Sequence, residues 1–250
     1  MKIVFINDYS TLVGGVERYL DSVLPDLREA GHSVVQISIA DEFPNLNGRL
    51  NEIKSRFLPS KVKVLKRLIK GHNPDIIHLH NNRLHTVSVF KALEDFSVPV
   101  IQSIHDQYQA FSSVEHSKPF HNIIHRLKDS YFSHFQSQAI DHYICYSSYI
   151  YKILLDRFSP ERIHHLALFV NTNIFHRLPQ IQTYNKQLLY IGRIRDEKGI
   201  FFLLNCLKSG KSLQDYSLKI AGDGRETEKL IRKIKDMPNV EYLGKVSNEE

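Results

Sequence analysis

Lys2-Ile3-Val4-Phe5-Ile6, then Gly14-Gly15-Val16-Glu17, then His32-Ser33-Val34-Val35-Gln36-Ile37-Ser38-Ile39-Ala40 is the stretch that decides the fold. Lys2–Ile6 is a short apolar run of the kind that forms a buried strand. Val16, Tyr19, Leu20, Val23, Leu24 and Leu27 recur at helical spacing, and Gly31 follows as a stop. His32–Ala40, rich in Val and Ile, is the next strand. A strand, a helix and a strand in about 40 residues form the unit of a parallel sheet.

The alternation then repeats. Val62, Leu65, Leu68 and Ile69 give a helical face that ends at Gly71, and Asn73-Pro74 turns into the strand Asp75–Leu79. Leu84–Phe96 is predicted as a helix, Val98–Ile104 as a strand and Lys118–Gln138 as a long helical region. Asp141–Tyr146 is a strand, Ser147 caps a helix running to about Phe158, and Arg162–Leu168 is a further strand. The fold class is therefore α/β, with a parallel sheet and helices on both faces. Right-handed crossovers bring the carboxyl ends of the strands to one edge, where ligands bind.

Residues 1–178 form the first domain in this reading, and the polar, proline-containing run 179–186 is a linker. The pattern restarts in 187–250 with strand Gln187–Ile191, helix Gly199–Lys208, strand Tyr216–Ala221, helix Arg225–Lys235 and strand Val240–Leu243. A doubly wound domain usually has five or six strands. The second domain is therefore expected to be incomplete, with Ser247-Asn248-Glu249-Glu250 opening a further helix.

Composition narrows the function classes. The 250 residues sit between one domain and two, and 42% apolar with 24% charged residues excludes wholesale disorder. Eleven Gly and nine Pro exclude a collagen-like chain. No apolar run reaches the roughly 18 residues of a membrane span, and the run from Met1 to Ile6 is too short for a signal peptide. Cys145 and Cys206 lack metal-type spacing, and reduced thiols in the cytoplasm are the plain expectation. The net charge of +6 is concentrated in Lys54, Arg56, Lys61, Lys63, Lys66, Arg67 and Lys70. A solvated helix face explains that stretch, and docking on an anionic membrane surface is the alternative. Without interleaved aromatic residues it does not read as a nucleic-acid surface.

Several elements can carry chemistry. Gly14-Gly15-Val16-Glu17 follows the first strand and opens the first helix, where glycines admit a ligand to the backbone and the helix N-terminus favours an anion. It is not the dinucleotide fingerprint, and a tight packing turn explains it equally well. Gly192-Arg193-Ile194-Arg195-Asp196-Glu197-Lys198-Gly199 occupies the equivalent place in the second domain. Arg193 and Lys198 can converge on phosphate oxygens there. The alternative is a solvated loop in which Arg195, Asp196 and Glu197 neutralise one another. His105-Asp106 ends a strand at the ligand edge. Its imidazole can bond a sugar hydroxyl and change protonation near neutral pH, or the two residues simply pair. His78 and His80 share a strand face but have no third ligand, so no metal site is expected. Gly222-Asp223-Gly224 is either a turn into a helix or a nucleotide contact.

In combination these elements resemble the retaining glycosyltransferases of the GT-B type, group 1, family 4. The resemblance rests on Gly14-Gly15-Val16-Glu17, Asp75-Ile76-Ile77-His78-Leu79-His80-Asn81, His105-Asp106, Gly192-Arg193 with Lys198-Gly199, Ala221-Gly222-Asp223-Gly224, and Val240-Glu241-Tyr242-Leu243-Gly244. It implies two Rossmann-like domains facing a cleft, a nucleotide-sugar donor on the second and a saccharide or lipid-linked acceptor on the first. It assigns catalysis to His105, Arg193 and Lys198, and donor binding to Gly14, Gly15, Glu17, Gly192, Gly222, Asp223 and Gly224. It implies no cofactor, no metal and a cytoplasmic enzyme, soluble or peripheral to the membrane. Leu168–Phe175 falls where the family often has Asn-Gly-Val-Asp, here without the glycine. The family's later paired-Glu motif lies beyond Glu250, and Glu249 and Glu250 are not that pair. A sugar-nucleotide epimerase of the same plan and a noncatalytic nucleotide-sugar-binding fragment are the competing readings.

Overall fold

The computed structural model describes residues 1–11, 14–44, 49–110, 119–172, 175–177, 185–210, 213 and 215–246. The chain divides into two units, Met1–Phe175 and His176–Glu250. The expected linker 179–186 lies mostly outside the described residues, as does the expected helix start at 247–250.

In the first unit the strands are β1 (Lys2–Asn7), β2 (Ser33–Ser38), β3 (Ile76–Leu79), β4 (Val100–Ile104), β5 (His142–Cys145) and β6 (Ile163–His165). All their pairings are parallel, in the order β2-β1-β3-β4-β5-β6. The helices are α1 (Gly15–Glu29), α2 (Ile39–Glu42), α3 (Arg49–Phe57), α4 (Val62–Gly71), α5 (Thr86–Leu93), α6 (Pro119–Ala139) and α7 (Ser148–Leu155).

The period of two along β1 builds both layers. Ile3 and Phe5 face α1 and pack on Leu20 and Leu24. Val4 and Ile6 point the other way, into a larger core with Leu65 and Ile69 of α4, Val87 and Phe90 of α5, Phe132 of α6 and Leu154 of α7. The order reverses between β1 and β3. Right-handed crossovers then place α1 on one face and the later helices on the other. That reversal opens a crevice at the carboxyl ends of β1 and β3, the usual place for a ligand in such a sheet.

Two local readings change. The strand expected over His32–Ala40 ends at Ser38, whose hydroxyl accepts from the Asp41 N–H at 3.4 Å and starts the short α2. A local hydrogen bond of this kind competes with strand pairing. The helical face of Val62–Ile69 is α4, and the basic stretch also takes in the end of α3, with Leu58-Pro59-Ser60-Lys61 between them. Ser147 caps α7 as expected, accepting from the Ile150 N–H at 3.3 Å, but that helix ends at Leu155.

The second unit has β7 (Gln187–Ile191), β8 (Ser217–Ala221) and β9 (Val240–Gly244), parallel and in that order, with α8 (Ile200–Ser209) and α9 (Thr227–Ile234). Here the helices do not cover both faces. The crossovers step in one direction, so right-handedness puts both helices on the same face. Ile200 and Leu204 of α8 and Leu230 of α9 pack there on Leu218 and Ile220. On the other face Leu189 and Ile191 are exposed.

Candidate functional site

The crevice of the first unit is a connected polar network. Asn7, at the end of β1, is fully buried and donates from Nδ2 to Glu17 Oε1 at 3.2 Å. Asn81, just past β3, donates to the same oxygen at 3.4 Å, and its backbone N–H donates to Asn7 Oδ1 at 3.2 Å. Glu17 therefore sits buried in the first turn of α1, where the helix dipole favours its charge, and ties two strand ends together. Gly14 is the extended residue just before α1, and a Cβ on it would meet Glu17 Oε2 at 3.4 Å. A Cβ on Gly15 would meet nothing within 4 Å. Packing within the unit thus does not demand a glycine at position 15.

His105 stands beyond β4. Its Nε2 lies 3.0 Å from Nδ1 of His80, so one ring donates and the other accepts. Its backbone N–H donates to Gln109 Oε1 at 2.5 Å. Gln109 in turn donates from Nε2 to Asn81 Oδ1 at 2.5 Å, so one side chain links the β3 and β4 ends. Asp106 does not pair with His105; it accepts from the Gln109 N–H at 3.0 Å. Tyr19 of α1 rests against His80, His105, Tyr146 and Phe169. His78 and His80 share a strand face as expected, with ring centroids 4.3 Å apart, and His78 Nε2 is 2.9 Å from Ser103 Oγ.

Burial sets the charge state of these rings. It lowers His105 to about 4, which overturns the expectation of a proton change near neutral pH. The ring is a neutral hydrogen-bonding group at physiological pH. Burial also lowers His78 to about 3, with the neighbouring His105 adding to the effect, and takes His80 well below its usual value. Asp8 shifts the opposite way. Its carboxylate accepts from the backbone N–H groups of Arg83 and Leu84, yet burial raises it to about 6.

These shifts predict acid lability. Below pH 6.5 the unfolded histidines take up protons that the folded unit refuses, and stability falls until the folded values near 3–4 are reached. Asp8 works against this, because between about 6 and 3.8 the folded state binds its proton more tightly. Three histidines against one aspartate leave about two protons, a slope of roughly 2–3 kcal/mol per pH unit. Urea midpoints should drop steeply from pH 6.5 to 4.5, and His78→Gln should make the drop shallower. A midpoint indifferent to pH across that range would contradict the neutral buried rings.

The second unit presents its carboxyl edge differently. The Gly192 N–H donates to Ala221 O at 3.0 Å and the Gly222 N–H to Gly244 O at 2.7 Å, so glycines continue the sheet past its strands. Gly222 has φ +136°, and a Cβ there would lie 1.9 Å from Gly192 O. A Cβ on Gly224 would lie 2.3 Å from Ile194 O. Both glycines are needed by backbone packing, whatever binds nearby. Asp223 accepts at Oδ1 from the Gly224 N–H at 2.7 Å and the Thr227 hydroxyl at 2.8 Å. It closes the turn into α9, and those bonds hold its carboxyl below the usual range.

The loop after Gly192 separates its charges. Asp196 is taken by Lys229 at 3.0 Å. Glu197 is taken by Arg195 at 3.3 Å and Arg225 at 3.5 Å. Arg193 and Lys198 are exposed, and neither has an acidic partner among the described residues. The Tyr190 hydroxyl donates to Arg193 O at 3.0 Å and fixes the backbone there. Gly199 then starts α8 in the left-handed region at φ +75°. No group of three or more metal-binding side chains is present among the described residues.

Sequence reasoning missed Asn7 and Gln109, and it quoted Asn81 only as the end of the Asp75–Asn81 segment. Asn7 ends β1 and Asp8 follows it, and a polar pair at a parallel strand's carboxyl end was the available signal. Gln109 gives none, because only the fold brings it to Asn81.

Two units of parallel sheet and helices, each with a polar carboxyl edge, define a Rossmann-like α/β architecture. Residues 13–174 match the sequence family Glycosyltransferase Family 4, and residues 172–250 match Glycosyl transferases group 1. The chain belongs to glycosyltransferase family 4, of the group 1, GT-B type. A Klebsiella pneumoniae relative, described as an uncharacterized 41.2 kDa protein in the cps region, is 24% identical over 271 residues, covering 100% of this chain and 70% of the relative. The fold is shared with the apo lipopolysaccharide outer core galactosyltransferase WaaB, at 18% identity and TM-score 0.60, over 100% of this chain and 69% of that one. It is shared with a glycosyltransferase from Rickettsia africae at 16% identity and TM-score 0.64, over 99% and 69%. The UDP-GlcNAc 2-epimerase of Methanocaldococcus jannaschii is more distant, at 10% identity and TM-score 0.52, over 99% and 74%.

Proposed function

We propose that the protein transfers a sugar from a nucleoside-diphosphate sugar to a saccharide or lipid-linked saccharide, with retention of anomeric configuration. The observation that carries this reading is the charge separation in the 192–199 loop. Its acids are consumed by Arg195, Arg225 and Lys229, while Arg193 and Lys198 stay available. When the bond from the sugar's anomeric carbon to the phosphate oxygen breaks, its electron pair goes to the diphosphate. Arg193 and Lys198 stabilise that charge. These two cations take the place of a metal ion in this reading, which needs no cofactor. His105, neutral, orients the sugar through a hydrogen bond. A setting in polysaccharide assembly is supported by the cps-region relative.

Product analysis tests the reading against its rivals. Incubation with UDP- and GDP-sugars and candidate acceptors should release nucleoside diphosphate and form a glycoside. An isomerised nucleotide sugar would make the protein an epimerase, and nucleotide binding without turnover a binding module. Among the described residues near His105, the carboxylates are already bonded, Glu17 to Asn7 and Asn81 and Asp106 to the Gln109 N–H.

Attachment to an anionic membrane surface is a second part of the proposal. No helix among the described residues is long and apolar enough to cross a membrane. The basic stretch is partly used internally: Lys66 pairs with Asp95, and Lys61 and Lys70 lie over the rings of Phe43 and Phe96. Lys54, Lys63 and Arg67 remain exposed. The Tyr131 hydroxyl donates to Phe57 O and joins α6 to the end of α3. Along α6, Ile123, Ile124 and Leu127 are exposed at helical spacing. The protein should pellet with phosphatidylglycerol vesicles and not with phosphatidylcholine vesicles, and Leu127→Glu should weaken pelleting. Equal pelleting with both lipids would count against the electrostatic part.

A further inference from the structure

Beside the His105 network lies a cavity of about 140 Å³ lined by Arg56, Asn82, Arg83, Tyr108, Gln109 and Lys128. These residues come from α3, the segment after β3, the segment after β4, and α6. Gln109 is both a wall of the cavity and the residue that bonds the His105 N–H and Asn81. The cavity is thus adjacent to the place where the sugar would react.

Its lining is unusual in two ways. Three of the six side chains are cationic, and none of the six is acidic. Arg56 and Arg83 make no ion pair among the described residues. Lys128 is 3.5 Å from Asp129 Oδ1 and 3.3 Å from His125 Nδ1. Second, buried donors are left over. Asn82 is only 2% exposed, and its Nδ2 has no partner. Arg56 Nε is buried and also lacks one. An unsatisfied buried donor costs about 1–3 kcal/mol. Burial and the nearby Arg83 guanidinium both work against the charge on Arg56, and Asp8 and Glu52 only partly offset them.

We propose that this cavity binds an oxyanion, a phosphate or carboxylate group carried by the acceptor. An oxyanion placed between the two guanidiniums relieves their repulsion and accepts from them in the bidentate manner that Arg favours. The volume holds such a group with part of the molecule that bears it, since a water molecule takes about 30 Å³. The acceptor class becomes a phosphorylated or uronic-acid-bearing saccharide, or one linked to a lipid through phosphate. Neutral sugars lack the charge this pocket is built to meet. This inference rests on the transferase reading for the word acceptor, but the anion site stands without it.

The test uses inorganic phosphate, glucuronate and glucose as probes of the purified protein, followed by ligand-detected NMR. The loop at Arg193 also binds phosphate under the proposal above, so each titration is repeated in Arg193→Ala. Phosphate or glucuronate binding should survive Arg193→Ala and weaken at least tenfold in Arg83→Gln. Arg83 is exposed, so this variant should fold, and Lys128→Gln provides a second one. Phosphate alone in the pocket assigns a phosphorylated acceptor, and glucuronate alone a uronic-acid acceptor. Glucose binding as well as either anion, or anion affinity unmoved by both Arg83→Gln and Lys128→Gln, would overturn the site. UDP and GDP binding are measured on the same samples. Their absence, with the pocket's anion affinity intact, overturns the transferase reading alone.

Discussion

Arg193→Ala should lower kcat/KM for sugar transfer by about 10²–10³-fold, the loss seen when one preorganised stabiliser of transition-state charge is removed. The structure makes this a clean experiment. Arg193 is exposed, and the Tyr190 hydroxyl holds its backbone oxygen, not its guanidinium. Truncating the side chain therefore removes no hydrogen bond or ion pair among the described residues, and thermal stability should stay within a degree or two. Both parameters should suffer. KM rises because the ground-state diphosphate already carries charge, and kcat falls because that charge grows as the glycosidic bond breaks. Arg195→Ala is the internal control. That residue is two positions away, but Glu197 already occupies its charge, so its loss should cost only a fewfold. Turnover by Arg193→Ala equal to the parent at saturating donor would remove the basis for the transferase assignment. Equal losses in the two variants would point to general electrostatics of the loop.

The contrast between Arg193 and Arg195 also marks how far the sequence could be read. Element order was legible because its signals are local. Alternation of Ile3, Phe5 against Val4, Ile6 builds two layers, and the Val16–Leu27 spacing builds α1. The loop's glycines and cations were legible as a phosphate-binding pattern. Which cation stays free was not, because Lys229 and Arg225 reach Asp196 and Glu197 from about 30 residues away. The same limit hid Gln109, which joins residues of two different strands, and the cavity that Arg56 and Lys128 approach from separate helices. His105 shows a different limit. Its position at a strand end was readable, but its neutrality depends on burial against Tyr19 and Tyr146. The glycines of the second unit were readable as a turn, and only the backbone geometry shows that they pack on one another.

That last point separates two kinds of glycine by experiment. Gly222→Ala should destabilise the second unit by about 3 kcal/mol or more, the upper range for overpacking combined with an unfavourable backbone region. The added methyl would sit 1.9 Å from Gly192 O, a backbone atom that cannot rotate aside, and φ is +136°. Relief requires parting the β7 and β8 ends, which breaks the bonds from Gly192 N–H to Ala221 O and from Gly222 N–H to Gly244 O. Gly15→Ala should behave in the opposite way. A Cβ there meets nothing within 4 Å, and the residue begins α1, where Ala is the better helix former by up to about 1 kcal/mol. Folding should be unharmed or slightly improved, while any anion affinity that the resemblance assigns to the N-terminus of α1 should fall. With two units in one chain a single unfolding midpoint would blur the comparison. Hydrogen exchange read separately over 2–7 and 217–221 resolves it. Gly222→Ala should accelerate exchange in β8 and leave β1 unchanged, and Gly15→Ala should accelerate neither. Faster exchange in β1 of Gly15→Ala would mean that this glycine, like Gly222, serves packing.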